Sequence, residues 1–207
     1  MSKFIYIYSI LFLFCLPAQS QFSLSGVFGV TASQVRGDDL AGYDRLGLSG
    51  GLRLSTILKD KTDINVELLY SQRGSQSEIA PDNALPQAKI VTDYVEIPVY
   101  LSLVDWYIED EDYYRVQIHG GFSYGRLIRS STIDEINGGG QNFDLLAQAF
   151  NKNDFSWLAG FSYYTSPSLG LTLRYTRSIN NLYDMDPTLF AKNLKGFFLS
   201  FRIEYVF

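Results

Sequence analysis

Apolar and polar residues alternate at the end of the chain. Every odd-numbered position from Phe197 to Phe207 is apolar, and the polar residues Ser200, Arg202 and Glu204 stand between them. A period of two residues is typical of a β-strand with one apolar and one polar face, because successive side chains point to opposite sides of a strand. We therefore predict a strand over this final segment.

The same alternation recurs in earlier segments of the chain. In one of them Val95, Ile97 and Val99 alternate with Glu96 and Pro98. With the final strand, these segments make an all-β protein of eight predicted strands. The earlier segments are residues 22–31, 46–55, 64–71, 95–103, 115–124, 155–162 and 169–176.

The connections between the predicted strands alternate in length. Short ones lie near 59–61 and 165–168, and one of intermediate length lies at 105–112. Hairpins in sequence order put short turns at one end and long loops at the other, as in outer-membrane barrels, where the short turns face the periplasm. We therefore predict an antiparallel up-and-down β-barrel. The long connections are 36–45, 74–92, 129–154 and 180–195.

The volume of the barrel decides which face points outward. The interior of an eight-stranded barrel is only just wide enough for side chains to fill. Eight rows of Phe, Leu, Ile and Tyr would overfill it, whereas the opposite rows of Gly, Ser and Thr with a few long charged residues would fit. We therefore expect a transmembrane barrel whose apolar rows contact outer-membrane lipid. The alternative, a soluble lipocalin-like barrel, would turn its apolar face inward.

The first residues have the parts of a secretory signal peptide. Lys3 supplies the positive region, an apolar run covers 4–16, and Ala18 and Ser20 are small residues at a cleavage site. The apolar run is shorter than the about 20 residues of a spanning helix, which disfavours the alternative of an uncleaved anchor. We predict a signal peptide at 1–20, cleaved near Ser20, and an outer-membrane barrel at 21–207. Cleavage removes Cys15, the only cysteine, so disulfides are excluded.

Composition narrows the classes of partner. The formal net charge of −5 argues against a nucleic-acid partner, because such proteins present a basic surface. Aromatic residues make up 15% of the chain, although the mean hydropathy is −0.01. Many of them stand at predicted strand ends, where barrels carry interfacial aromatic girdles. The expected girdle residues are Trp106, Tyr107, Tyr113, Tyr114, Trp157, Tyr163 and Tyr164.

The last residues of the chain resemble an assembly signal. Phe207 is the last residue, and Tyr205 and Ile203 precede it at alternating positions. This ending resembles the C-terminal signal that the barrel-assembly machinery recognises in its substrates. We therefore expect that machinery to be a partner during insertion into the outer membrane.

Four short segments in order resemble one known family. They are ELLYSQRG at 67–74, YVEIPV at 94–99, GGFSYG at 120–125, and LRY at 173–175 followed by INN at 179–181. In these segments the chain resembles the PorT-like outer-membrane β-barrel proteins over essentially all of its predicted mature part. The resemblance implies the fold and an outer-membrane location. The family's named member is linked to type IX protein secretion, and that role is not transferred to this chain as a finding.

Charged residues of both signs fall on the predicted inward rows. A charge in a narrow lumen must be paired and hydrogen-bonded, because desolvation costs several kcal/mol per ion. We interpret these residues as an ion-pair network that plugs the barrel; the alternative is a gated ion path lined by the same charges. The residues are Arg53, Glu67, Glu96, Arg115, Arg174, Arg202 and Glu204.

No catalytic or metal-binding constellation is evident. His119, the only histidine, and Ser123 share the inward face of one strand, but four residues of extended chain, about 13 Å, separate them too far for a base-to-nucleophile hydrogen bond. Asp38, Asp39 and the acidic run at 109–112 lack the spacing of an EF-hand loop. We expect no cofactor and no bound metal.

Three functional hypotheses remain. The first is a non-enzymatic outer-membrane protein whose long external loops engage an envelope or secretion protein, because sequence complexity lies in those loops. The second is a lipid-modifying enzyme that uses His119. The third is a narrow ion or small-solute pore, whose conductance would depend on Arg174 or Glu96.

Overall fold

The computed structural model describes residues 22–36, 45–76, 88–134, 149–184 and 193–207. The predicted signal peptide lies outside these ranges, as do Asp38 and Asp39. The described residues form eight strands, the number that the alternation predicts. The strands are β1 (Ser23–Arg36), β2 (Arg45–Lys59), β3 (Thr62–Gln76), β4 (Ala88–Ile108), β5 (Tyr113–Asp134), β6 (Asn153–Tyr164), β7 (Leu169–Ser178) and β8 (Lys195–Val206).

The strands close into one antiparallel barrel. Each strand pairs with its neighbour in sequence, and β1 pairs with β8, where for example Phe28 lies opposite Ile203. The predicted up-and-down topology is confirmed. The turns at 60–61, 109–112 and 165–168 lie at one end, here called the turn end, and the opposite end is called the loop end.

The large apolar side chains point out of the barrel. Phe122, Leu46 and Phe28 are 68%, 65% and 62% exposed, whereas the alternating Ser25 and Thr31 are fully buried. An outward surface of this kind requires an apolar medium around it, as in a bilayer. The predicted orientation is confirmed, and the alternative of a soluble barrel with its apolar face inward is wrong.

Strands β4 and β5 are longer than the pattern predicts. They have 21 and 22 residues, whereas a membrane-spanning strand needs about 9–11. The prediction of long loops at 74–92 and 129–154 is therefore wrong at the strand ends, since β4 already begins at Ala88 and β5 continues to Asp134. A register shift between Asp93 and Tyr94 explains the miss, because it breaks the period of two: Thr92, Asp93 and Tyr94 are all buried in succession.

The turn end carries most of the expected aromatic girdle. Trp106 and Tyr107 are 56% and 46% exposed, and the rings of Tyr107 and Tyr114 lie 5.1 Å apart. Tyr164 is an exception, because its side chain is buried in the lumen. The girdle prediction is wrong for Tyr164: it occupies the inward position two residues after Ser162, and its hydroxyl binds lumen charges.

An apolar cluster lies at the loop end of the barrel. Backbone hydrogen bonds from Asn151 N to Leu182 O and from Leu182 N to Leu194 O, both 2.7 Å, draw the residues that flank the loops together. These residues pack against inward side chains of β1 and β4. The cluster, called the apolar cap, consists of Val35, Ile90, Tyr94, Phe150, Leu182, Tyr183 and Leu194.

Candidate functional site

The middle of the lumen is organised around one carboxylate, that of Glu67 on β3. Arg174 on β7 donates to both of its oxygens, at 2.8 and 2.9 Å, and Arg202 on β8 donates to Oε2 at 3.0 Å. The Tyr100 hydroxyl on β4 donates to Oε1. Four strands therefore meet at a single carboxylate, which satisfies most of its acceptor positions.

His119 lies beside this central cluster. Arg174 Nε donates to His119 Nε2 at 3.3 Å, and the imidazole ring lies 5.0 Å from the ring of Tyr100. The side chain is buried and faces the lumen. Ser123 instead donates to Glu96 Oε2 at 3.5 Å. The two side chains are therefore bonded to different partners, and neither is presented to the lipid face.

A second cluster lies nearer the turn end. Arg53 on β2 forms an ion pair with Glu204 on β8 and donates to the Tyr164 hydroxyl at 2.8 Å and to Ser25 Oγ at 3.2 Å. Tyr164 in turn donates to Glu204 Oε2 at 2.8 Å. The tyrosine therefore bridges the two members of the ion pair.

A third cluster lies nearer the loop end. Arg73 on β3 binds both Glu96 on β4, with Nε to Oε1 at 3.0 Å, and Asp154 on β6, with Nη1 to Oδ2 at 2.6 Å. Its guanidinium carbon also lies 4.1 Å from the centre of the Phe198 ring and 4.8 Å from that of Tyr94. The Arg73 guanidinium is thus bound by carboxylates at its N–H groups and contacted by aromatic rings near its planar face.

The lumen charges of the three clusters balance one another. Each cluster combines arginines with carboxylates, and every one of these side chains is buried. Losing one member would leave its partner charged and unpaired in a poorly solvated space, which costs about 3–5 kcal/mol in buried pairs of other proteins. The arginines are Arg53, Arg73, Arg174 and Arg202, and the carboxylates are Glu67, Glu96, Asp154 and Glu204.

The structure places six of the seven predicted network residues in these clusters, and Arg115 is the exception. Arg115 is only half-buried; its Nη2 donates to the Tyr113 hydroxyl at 3.3 Å and its guanidinium lies 5.4 Å from the Trp106 ring. The prediction is wrong for this residue because β5 carries it to the turn end, among the interfacial aromatics. There its charge can remain hydrated.

Sequence reasoning missed several members of the network. Arg73 and Asp154 border the predicted long loops, where the alternation weakens, so the pattern does not place them in the lumen. Tyr100 and Tyr164 stand at inward positions of alternating segments. Their place on the inward, polar rows was the signal that could have identified them, because a tyrosine there can reach a buried charge with its hydroxyl.

Among the residues that the structure describes, little space remains in the lumen between the second cluster and the apolar cap. Two internal cavities of about 10 Å³ lie between the clusters and beneath the apolar cap, and a cavity of that size holds about one water molecule. A wider vestibule of about 540 Å³ opens at the turn end and is lined by Arg53 and Tyr164. The arginine and tyrosine of the second cluster thus lie where the vestibule meets the packed lumen.

The predicted assembly-signal residues lie on the outer wall at the end of β8. Ile203, Tyr205 and Phe207 are 48%, 53% and 75% exposed, and Phe207 N donates to Leu24 O at 3.0 Å, beside the barrel seam. Recognition by the assembly machinery stays a prediction.

The described residues also bear on metal binding and on helical membrane spans. No group of three or more His, Cys, Asp or Glu residues within these ranges is arranged to hold a metal ion. No helix in the same ranges is long and apolar enough to span a membrane.

Comparison with known proteins agrees with this geometry. Crystal structures of the attachment invasion locus protein Ail of Yersinia pestis and of Neisserial surface protein A (NspA) are similar in fold, each with a TM-score of 0.50 and 13% identity. The alignments cover 90% of this chain and 99% of Ail or 96% of NspA. At this identity the likeness shows the fold alone. No curated protein matches the sequence.

Residues 17–184 match the family described as outer membrane protein beta-barrel domain. The match covers most of the chain, including strands β1 to β7. The protein therefore belongs to the outer membrane protein β-barrel domain family and resides in the outer membrane.

Proposed function

We propose that this protein is a non-enzymatic interaction component of the cell envelope, which binds a protein partner through the loops at its loop end. This proposal rests on one observation: ion pairs fill the lumen, and the apolar cap covers its loop end. A packed lumen is unsuited to transport, and the outer wall serves the lipid. The loops are the part of the chain that these structural demands leave free to vary.

The resemblance to PorT-like proteins supports the choice of partner class. Because the named member of that family is linked to type IX secretion, the partner we propose is a component of an envelope or secretion complex. The apolar cap supports the same proposal, since it joins the bases of two loops through Asn151 and Leu182. Hydrogen bonds from Asn181 and Asn151 hold the carboxylate of Asp184 beside the cap and lower its pKa.

The experiment is affinity capture after mild detergent extraction from the native host. Loops 77–87 and 135–148 are each replaced by a short Gly/Ser linker, and the flanking residues Ala88 and Asp134 are kept because they pair with each other. The expected result is that envelope proteins captured by the unaltered chain are lost with the shortened loops. A control variant with Asp110→Asn and Glu111→Gln, two exposed changes at the turn end, should capture the same proteins.

A heat-modifiability gel checks that each variant still forms a barrel, because folded barrels migrate differently before and after boiling. Identical capture by the folded loop variant and by the unaltered chain would refute the proposal.

A further inference from the structure

On the outer wall near the loop end, basic residues lie two positions beyond aromatic residues, on the side of the loops. On β5, Arg126 comes two positions after Tyr124; on β7, Arg177 comes two positions after Tyr175. Strand β8 runs in the opposite direction, and there Lys195 lies two positions nearer the loop end than Phe197. Because a spacing of two keeps side chains on one face of a strand, each cation points outward just above an aromatic ring.

Contacts join the β5 positions to β6 in one surface. Arg126 Nη1 and the Tyr124 hydroxyl both donate to Asn153 Oδ1, at 2.7 and 2.9 Å. The Tyr124 ring lies 5.2 Å from that of Phe155. Lys152, next to Asn153, adds a further exposed cation.

Strands β6, β7 and β8 continue the same surface. Arg177 lies opposite Trp157 on β6 and opposite Phe197 on β8, and the rings of Trp157 and Tyr175 are 5.4 Å apart. We call the set Arg126, Lys152, Arg177 and Lys195 the cationic belt.

No carboxylate of the described residues forms an ion pair with a cation of the belt. In the described ranges, the nearby carboxylate of Asp154 is turned into the lumen and bound to Arg73, and that of Asp184 is held by Asn181 and Asn151. The corresponding position on β3 carries no charge: there Gln72 follows Tyr70 and donates to its hydroxyl at 3.1 Å. Strand β3 therefore lacks the pairing of an aromatic residue with a cation that β5, β7 and β8 show.

We propose that the cationic belt binds the phosphate groups of lipid A, the phosphorylated glycolipid of the outer leaflet. The loop end of such a barrel faces the cell exterior, because the short turns face the periplasm. Aromatic rings at a membrane interface sit at the level of the headgroups. Arginine and lysine two residues beyond those rings therefore meet the lipid phosphates, with Arg126 and Arg177 able to bind phosphate oxygens through paired N–H groups.

The test measures binding of lipid A to the purified full-length mature protein in neutral detergent, by microscale thermophoresis. Bis-phosphorylated lipid A is compared with chemically dephosphorylated lipid A, and inorganic phosphate is added as a competitor. The unaltered protein should bind the phosphorylated lipid more tightly, and millimolar inorganic phosphate should leave that binding unchanged. Equal binding of the two lipids, or displacement by inorganic phosphate, would overturn the proposal without any variant.

Variants then locate the site on the wall. Each cation near a charged membrane surface contributes about fivefold in affinity, so Arg177→Gln should weaken binding about fivefold and the triple variant Arg126→Gln, Arg177→Gln, Lys195→Gln roughly a hundredfold. Arg177→Lys keeps the charge but loses the paired N–H groups, so it should bind more tightly than Arg177→Gln and less tightly than the unaltered protein. Lys59→Gln removes an exposed cation at the turn end and should change nothing. A folded triple variant that binds lipid A like the unaltered protein would disprove the role of the belt.

Discussion

At the scale of single residues, the lumen depends on side chains that each serve several partners. Glu67 accepts hydrogen bonds from Arg174, Arg202 and Tyr100, and Arg73 binds two carboxylates. Such networks are strongly coupled, since removing one member leaves more than one partner unsatisfied. The stability of the barrel therefore depends on complete pairing in the lumen. Replacing a single charged residue with a neutral one should lower the free energy of unfolding.

Replacing Glu67 with Gln tests this coupling. The amide cannot neutralise Arg174 and Arg202, so the free energy of unfolding should fall by about 3–5 kcal/mol, measured by urea unfolding in lipid vesicles. Glu109→Gln, at an exposed turn position, should change it by less than about 0.5 kcal/mol. Equal effects of the two substitutions would show that the pairing in the lumen contributes nothing to stability.

At the scale of strands, inward glycines allow large side chains from the neighbouring strand to cross the lumen. A Cβ at Gly160 on β6 would lie 2.4 Å from His119 Nε2 and 2.7 Å from Leu173 O. A Cβ at Gly170 on β7 would similarly lie 2.7 Å from the ring of Tyr164. These glycines set how closely β5, β6 and β7 pack around their inward side chains.

Replacing Gly160 with Ala should therefore strain the barrel. Overpacking of this kind costs about 1–3 kcal/mol, and the measurement is again unfolding in vesicles. Gly120→Ala is the matched control, because it lies next to His119 on the outward face and its Cβ would meet only Leu158 O at 3.7 Å. The close approach would be unimportant if Gly160→Ala were as stable as Gly120→Ala.

At the scale of the whole molecule, the closed strands, the three ionic clusters and the apolar cap make one plugged cylinder. The cap draws on residues from several strand ends and loop bases, and the clusters bridge β2, β3, β4, β6, β7 and β8. Closure of this kind removes the exposed strand edges that would otherwise pair with other chains.

A planar-bilayer recording tests the closure of the lumen. The reconstituted protein should show no steady conductance, because the lumen between Arg53 and the apolar cap is filled. A reproducible conductance that changes on Glu96→Gln would instead favour the pore hypothesis. Parallel samples of the same preparation should show heat modifiability. An absence of conductance can then not be attributed to protein that failed to fold and insert.

Much of this architecture could be read from local sequence, and the reason is the period of two. The alternation from Phe197 to Phe207, and in the earlier segments, indicates which side chains share a face. The volume of a small barrel then decides which face is inside. The alternation fails where the backbone departs from regular pairing. The register shift at Asp93 and Tyr94 concealed the first part of β4, and with it the extent of the hairpin with β5.

The sequence by itself determined the strand number, the topology, the outward orientation of the apolar rows and the inward position of most of the charges, because each of these follows from local alternation and side-chain volume. Only the tertiary structure decided which charged side chains pair with each other in the lumen. Arg73 reaches Asp154 across 81 positions and Arg202 reaches Glu67 across 135, and Arg115 lies apart from the network at the turn end. Such partnerships depend on the stagger of all eight strands around the closed barrel, which no local pattern records.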